Sequence, residues 1–257
     1  MTITFKKYVA DNKHKFPKME TVLGKHSKKP KDFPEMETVM GNHSHEKKNL
    51  KEAKEDYGKD FSHLENHYKI TGDDHATAVD HYTNDSYYLN KKHFGKLPSG
   101  LVNNPNGHTH KLAAIKHMET HLPGLLKAHK TPHELIVHTG LKVSPHKYFD
   151  EGGKHAHVHM PAYTSTSMEH EIAKDFSKVE HKESHALKLH IPKDAHGAYI
   201  GHHSNHPEEH EFLIHHGAVI KIHHKPEITS DKYGVKHHTW HAELVHDGVK
   251  KLPGYPE

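Results

Sequence analysis

Hydrophobic and polar positions divide the chain into a helical part followed by a part rich in short strands. Helix-forming residues with interspersed apolar side chains predict helices at 73–97 and 110–129, the second stopping near Pro123. Later apolar runs predict strands at 135–137, 157–160, 186–191, 197–200, 211–214, 218–222 and 236–245. Helices first and strands last indicate an α+β fold with segregated layers.

The amino-acid composition limits the size of the packed core and the kinds of site that the protein can have. Hydrophobic residues are 32% of the 257 positions and the mean hydropathy is −0.94, so part of the chain is expected to stay outside a packed core. The absence of Cys excludes disulfides and cysteine metal sites. All 36 basic residues are Lys, because the sequence contains no Arg, and His reaches 37. The net charge of +3 is too small to argue for nucleic-acid binding.

Four segments are predicted, namely a flexible basic arm at 1–45, a lead-in helix at 46–70, the main domain at 71–247 and a tail at 248–257. The arm contains a repeat, FPKMETVLG at 16–24 and FPEMETVMG at 33–41. Each copy has too few apolar residues to bury a core, so we interpret the repeat as part of a low-complexity arm or as a pair of docking or processing signals.

Two glutamates are the strongest chemical signal. Glu209 and Glu211 stand two apart, directly before the apolar run 212–214. If the glutamates and this run lie on one strand, both carboxylates point to one face and into one cleft. Two further motifs occur upstream in the order VHTGL at 137–141 and YTSTS at 163–167.

This order of motifs resembles the ADP-ribosyltransferase exoenzymes of bacterial toxins and related phage enzymes, over the range from Asp74 to Val245. The resemblance implies an α+β fold with N-terminal helices followed by two packed antiparallel-type sheets, behind the flexible arm. It also implies a mono-ADP-ribosyltransferase that uses NAD as a substrate. An E-x-E motif in this family implies that the acceptor is an arginine of a host protein.

The resemblance also implies roles for five residues. Glu211 would hold the ribose hydroxyl and stabilise the oxocarbenium-like transition state, as carboxylates do in glycosidases. Glu209 would position and polarise the acceptor. Ser165 would hydrogen-bond the catalytic carboxylate, while Thr166 and Ser167 would form the wall of the nicotinamide pocket. As an alternative, Ser167 alone would cap the helix that follows.

The first motif departs from the family pattern. Most members carry V-Y-R-G-L, where the arginine grips NAD, whereas here Thr139 stands in the place of that arginine, between His138 and Gly140. Losing one charge-assisted contact costs about 1.5–3 kcal/mol, so NAD binding is weakened or passes to His138 or a lysine. The alternative is a catalytically weakened NAD-binding relative, for instance a structural protein inside a virus particle.

A zinc hydrolase is the other alternative. The segment from His206 to His210 matches H-x-x-E-H, a zinc-protease signature that requires both histidines on one helix face. Pro207 and the strand that follows leave no room for such a helix, and His is frequent in this chain. We therefore predict no metal site, either here or along the alternating histidines at 155–159.

Location and partners follow from the same features. No apolar stretch reaches membrane-spanning length, and the N-terminus lacks the apolar core of a signal peptide. We expect a secreted or virion-delivered protein that acts in the host cytoplasm and does not bind membranes. Nucleic acid is a possible partner only at low pH, where histidines gain charge, or through the basic arm.

Overall fold

This computed structural model describes residues 61–142, 144–149, 155–177, 179 and 182–249. The predicted arm, most of the predicted lead-in helix and all but the first two residues of the predicted tail lie outside these described residues.

Helices come first in the described chain. They are α1 (Ser62–His67), α2 (Asp73–His93), α3 (Ser99–Asn103), α4 (Thr109–Ala128) and, between strands, α5 (His170–Asp175). Leu64 of α1 and the flanking Phe61 and Tyr68 are buried in the core. Within the described part, no helix is both long enough and apolar enough to span a membrane.

Helix α4 runs without a break through Pro123, so the predicted stop at this residue is wrong. Proline lacks the N–H that would bond the carbonyl four residues earlier, and in isolation this destabilises a helix. The neighbouring Leu122, Leu125 and Leu126 are at most 1% exposed. Burial of these three leucines holds the last turn in helical form.

The described residues contain the strands β1 Leu135–Leu141, β2 His155–Met160, β3 Thr164–Ser167, β4 Glu183–Ile191, β5 Ala198–Tyr199, β6 Glu211–Ile214, β7 Ala218–His223, β8 Glu227–Ser230 and β9 Lys236–His246. These strands form a single sheet in the order β2-β7-β9-β4-β1-β3-β6-β5, with β8 paired to β9. The pair β4–β9 is parallel, and the other pairs are antiparallel.

The α+β class with helices first is confirmed, but the strands join into one sheet where two packed sheets are expected. Strand β1 makes the join. It pairs with β4 along the whole of Leu135–Leu141, whereas its registered pairing with β3 is the single pair His138–Ser167. The two halves of the sheet are therefore continuous through a narrow junction.

Gly140 of β1 lies directly under helix α5. A Cβ at this position would come within 2.6 Å of the carbonyl oxygen of Ala173 and 2.7 Å of the backbone nitrogen of Ser177. Both are backbone atoms, so no side-chain rotation could relieve the contact. The missing side chain lets α5 cross β1 beside the junction of the two half-sheets.

Gly140→Ala should destabilise the protein by about 1–3 kcal/mol, because the added methyl group overpacks the α5–β1 contact. The measurement is urea unfolding followed by far-UV circular dichroism. Gly100→Ala is the matched control, because a Cβ there meets nothing within 4 Å and Gly100 lies in helix α3. That change should stabilise the protein by up to about 1 kcal/mol. Equal effects of the two changes would contradict the close α5–β1 contact.

Candidate active site

The two glutamates of the E-x-E motif lie on different elements. Glu211 is the first residue of strand β6, whereas Glu209 ends the 3₁₀ helix Pro207–Glu209. Between them His210 has a left-handed backbone, with φ 46° and ψ 50°. The expectation that both glutamates share a strand is therefore wrong, because the proline-initiated turn reaches as far as Glu209.

Contacts of the His210 ring hold this turn in place. Its Nδ1 is 3.3 Å from the hydroxyl of Tyr199, and its Nε2 is 3.4 Å from a carboxylate oxygen of Glu169. The ring also packs on Phe61, with the ring centroids 4.3 Å apart. A left-handed conformation is costly for a residue with a Cβ. These three contacts fix His210, and with it the offset between the two glutamates.

Glu211 has a buried carboxyl group. Its residue is 6% exposed, and burial raises its pKa to about 7 from an ordinary value of 4.5. A hydrogen bond from Ser165 opposes this increase in pKa, while the negative charge of Glu209 adds to it. Burial also raises the pKa of Glu209. A carboxyl group with a pKa near neutrality, hydrogen-bonded to a neighbouring hydroxyl group, is typical of a functional site.

A chain of hydroxyl groups leads from helix α2 to this carboxyl group. The hydroxyl oxygens of Tyr82 and Ser165 are 3.0 Å apart, and Ser165 in turn hydrogen-bonds Glu211. Burial and the charge of Glu211 raise the pKa of Tyr82, so this phenol stays neutral. Ser86 and Asn90, four and eight residues further along α2, also lie close to the Tyr82 side chain.

Tyr82 is not among the site residues predicted from the sequence. A signal was present in the sequence. The spacing of four residues between Tyr82, Ser86 and Asn90 would put three polar side chains on one face of a regular helix.

Strand register brings His138, Ser167 and Glu211 onto one face of the sheet. His138 pairs with Ser167, and Ser167 pairs with Glu211. Directly paired residues carry their side chains on the same face. On the other side of β1, His138 pairs with Lys188, whose residue is 7% exposed. A buried lysine that is not among the residues predicted from the sequence therefore lies in the same row.

Thr139 and Thr166 lie on the opposite face. Thr139 pairs with Leu187, which pairs with the fully buried Trp240. Thr166 donates a hydrogen bond of 2.7 Å to the carbonyl oxygen of Phe212 on the neighbouring strand. Both threonines therefore point away from the row that holds Glu211.

Ser167 links its strand to the turn that carries Glu209. Its hydroxyl donates to the carbonyl oxygen of Glu209 at 2.7 Å and accepts from the backbone N–H of Glu169 at 2.9 Å. Helix α5 begins at His170, with Glu169 as the residue before its first turn. Ser167 therefore does not cap the helix directly, because its hydroxyl accepts from the N–H of Glu169, which precedes the first helical residue.

Asn205 fixes the loop that precedes the two glutamates. Its side-chain amide donates to a carboxylate oxygen of Asp80 at 2.9 Å and to the hydroxyl of Thr83 at 3.1 Å. Both partners lie on helix α2, as does Tyr82. One helix therefore contacts the site at two points, through Tyr82 on the serine side and through Asn205 on the glutamate side.

The H-x-x-E-H match does not form a zinc-protease site in the part of the chain that the structure describes. His206 precedes the 3₁₀ helix, and His210 follows it with a left-handed backbone, so the two rings do not share an α-helical face. The nearest carboxylate partner of His206 is Glu208, at 3.6 Å.

A comparison with protein-family models identifies the class of protein. The model of the ADP-ribosyltransferase exoenzyme family matches residues 42–247, which is most of the chain. The chain therefore belongs to the ADP-ribosyltransferase exoenzyme family. A search of curated protein sequences finds no significant match.

Solved structures share the fold at low sequence identity. An ADP-ribosyltransferase from Clostridium botulinum is 15% identical, with a TM-score of 0.51 over 76% of this chain and 94% of that chain. The toxin Plx2a from Paenibacillus larvae is 17% identical, with a TM-score of 0.51 over 76% and 96%. The BECa component of a C. perfringens binary enterotoxin, solved with NADH, is 15% identical, with a TM-score of 0.52 over 77% and 48%.

Glu211→Gln should stabilise the protein above neutral pH. A carboxyl group whose pKa is raised from 4.5 to about 7 stabilises the fold most below pH 4.5, and this contribution is lost as the pH rises through 7. Glutamine stays neutral, so at pH 8 the variant should gain up to about 3 kcal/mol in free energy of unfolding. The gain should shrink towards zero near pH 4.5. Urea unfolding at pH 5, 7 and 8 measures it.

The control for this prediction is Glu208→Gln, whose carboxylate lies three residues away and is 70% exposed. A surface change of this kind should alter the free energy of unfolding by less than about 0.5 kcal/mol. A gain for Glu211→Gln that does not change with pH would contradict the buried carboxyl group.

Proposed function

We propose that this protein is a mono-ADP-ribosyltransferase that moves ADP-ribose from NAD to an arginine side chain of a protein. The observation that carries the proposal is the buried carboxyl group of Glu211, aligned by Ser165 and Tyr82, with the second carboxyl group of Glu209 beside it. Family membership and the NADH bound to the relative BECa support NAD as the substrate.

Glu211 is suited to the bond-breaking step. When the bond between nicotinamide and ribose breaks, nicotinamide leaves as a neutral base and positive charge develops on the ribose ring. The Glu211 carboxylate accepts a hydrogen bond from a ribose hydroxyl and stabilises this charge, and its buried surroundings strengthen the interaction. Ser165 donates to one carboxylate oxygen and so fixes its direction, while Tyr82 holds Ser165.

Glu209 is suited to the acceptor step. A nitrogen of the acceptor guanidinium bonds to the ribose carbon that nicotinamide has left, and it then releases one proton. A half-buried carboxylate matches the planar fork of a guanidinium group and accepts the proton. Its position at the end of a turn, outside strand β6, separates the acceptor site from the ribose site.

We also propose that His138 and Lys188 replace the arginine that the family usually carries at the position of Thr139. Both lie in the row that leads to Glu211, whereas Thr139 lies on the other face. A lysine is a common point charge for phosphate groups. Because helix α5 covers this face of β1 at Gly140, the pyrophosphate of NAD would approach the row from the end that carries Glu211.

The relatives support a host protein as the acceptor. Plx2a and BECa are toxins, so a host protein is the expected target, reached after secretion or after delivery in a virus particle. The second candidate function is a catalytically weakened NAD-binding or structural role inside such a particle. The uncharged Thr139 favours it.

Labelled NAD should modify an added arginine-containing protein and leave this chain unlabelled. The chain offers no guanidinium group, and lysine is a poor substitute at a site suited to a planar fork. Glu209→Gln should lower arginine transfer at least about tenfold and retain NAD hydrolysis, because only the acceptor step uses this carboxylate. Gel autoradiography and nicotinamide release are the two measurements.

The outcomes separate the candidates. Strong labelling of the chain itself would contradict arginine specificity. Neither transfer nor hydrolysis by the wild-type protein would favour the weakened, structural role. Equal loss of both activities in Glu209→Gln would contradict the division of roles between the two glutamates.

Lys188→Met should weaken NAD binding about tenfold to a hundredfold, because it removes one charge-assisted contact and keeps the volume of the side chain. Equilibrium binding of NAD measures the change. Lys193→Met, a nearby exposed lysine just beyond β4, is the control and should bind like the wild type. An unchanged affinity in Lys188→Met would assign the phosphate groups to another residue.

A further inference from the structure

We propose that Asp74, His117 and His121 bind a late first-row divalent metal ion such as Zn²⁺. One ligand atom from each side chain lies within 4.8 Å of those of the other two. Asp74 is in the first turn of α2, and both histidines are on α4. The site would therefore join two helices, and it shares no residue with the candidate active site.

Helix geometry brings the two imidazoles together. His117 and His121 are four residues apart on α4, so they lie on one face, and their ring centroids are 4.4 Å apart. An i,i+4 pair of histidines on a helix is a recurrent metal-binding arrangement. The carboxylate of Asp74 approaches this pair from the neighbouring helix.

The distance between two of the donors fits a shared ion. Nε2 of His117 is 3.5 Å from Oδ1 of Asp74, which is longer than a good hydrogen bond. In a tetrahedral zinc centre with bonds of about 2.1 Å, two ligand atoms are separated by about 3.4 Å. An ion between the two groups therefore requires little movement of either side chain.

The donor set selects the type of ion. Two imidazoles and one carboxylate suit Zn²⁺ and its neighbours in the first row, whereas Mg²⁺ and Ca²⁺ prefer oxygen ligands throughout. Three protein ligands leave a fourth tetrahedral position for water. Two more imidazoles stand alongside, since the ring of His81 is 5.6 Å from that of His117 and the ring of His75 is 6.2 Å from that of His121.

The ion would fix the beginning of helix α2. This helix carries Tyr82, which holds Ser165, and also Asp80 and Thr83, which hold Asn205. Near its middle, at Asp85, the helix has a non-helical backbone with φ −155° and ψ 67°. A metal ion at Asp74 would therefore tie the half of α2 before this irregular point to α4.

Isothermal titration with ZnCl₂ tests the site in the full-length protein. We expect one tightest site per chain in the wild type, with the affinity reduced at least about tenfold in His121→Asn and in Asp74→Asn, because even partners of metal ligands contribute that much. Asp74 is 74% exposed at its side chain, so its substitution leaves the fold intact. MgCl₂ should show no such site.

His63→Asn is the matched control. His63 and His67 are also spaced by four residues, on helix α1, and they belong to no ligand group of three in the described part of the chain. This variant should bind Zn²⁺ like the wild type. If it weakens binding as much as His121→Asn does, the affinity comes from histidine content in general. Wild-type affinity in Asp74→Asn and His121→Asn would place the tight site elsewhere.

Amide hydrogen exchange gives a second, local measurement. Zn²⁺ should slow exchange in the first half of α2 and around the two histidines of α4 in the wild type, and it should not do so in Asp74→Asn. Equal slowing of exchange in both proteins would overturn the proposal.

Discussion

The burial of one carboxyl group constrains much of this structure. Glu211 begins strand β6 almost fully out of solvent, and this burial raises its pKa to about 7 and so opposes its ionisation. A buried carboxyl group needs hydrogen-bond donors, and Ser165 is one of them. That serine is in turn hydrogen-bonded to Tyr82, so the contacts of the Glu211 carboxyl group extend to helix α2. The buried carboxylate therefore lowers the stability of the fold above neutral pH.

Helix α2 connects the separate parts of the site. Tyr82 contacts the strand that carries Ser165. Asp80 before it and Thr83 after it hold Asn205 in the loop before the glutamates. Movement of this helix relative to the sheet would change the setting of the serine and of the glutamate turn together. The metal ion proposed at Asp74 would bind the same helix in its first turn, before these contacts.

The sequence predicts the elements better than the way they meet. Apolar runs mark most strands, and helices placed before strands give the class. The strand placement of Glu209 fails because Pro207 begins a turn and His210 adopts a left-handed backbone that only its packing explains. The role proposed for Lys188 depends on strand register, which joins residues distant in sequence. The four-residue spacing that marks Tyr82 lies within one helix and can be read from the sequence. The group of Asp74, His117 and His121 spans two helices, so the sequence does not reveal it.

The sheet order has a consequence for how the chain folds. Strand β9 (Lys236–His246) lies between β7 and β4 near the middle of the sheet, although it is the last of the described strands in sequence. Its parallel partner β4 begins at Glu183, and among the described strands the outer strand β2 pairs only with β7. Such long-range pairing slows folding, because loop closure precedes the contacts that reward it. The sheet cannot be completed until β9 has left the ribosome, so the nascent domain stays open through most of its synthesis.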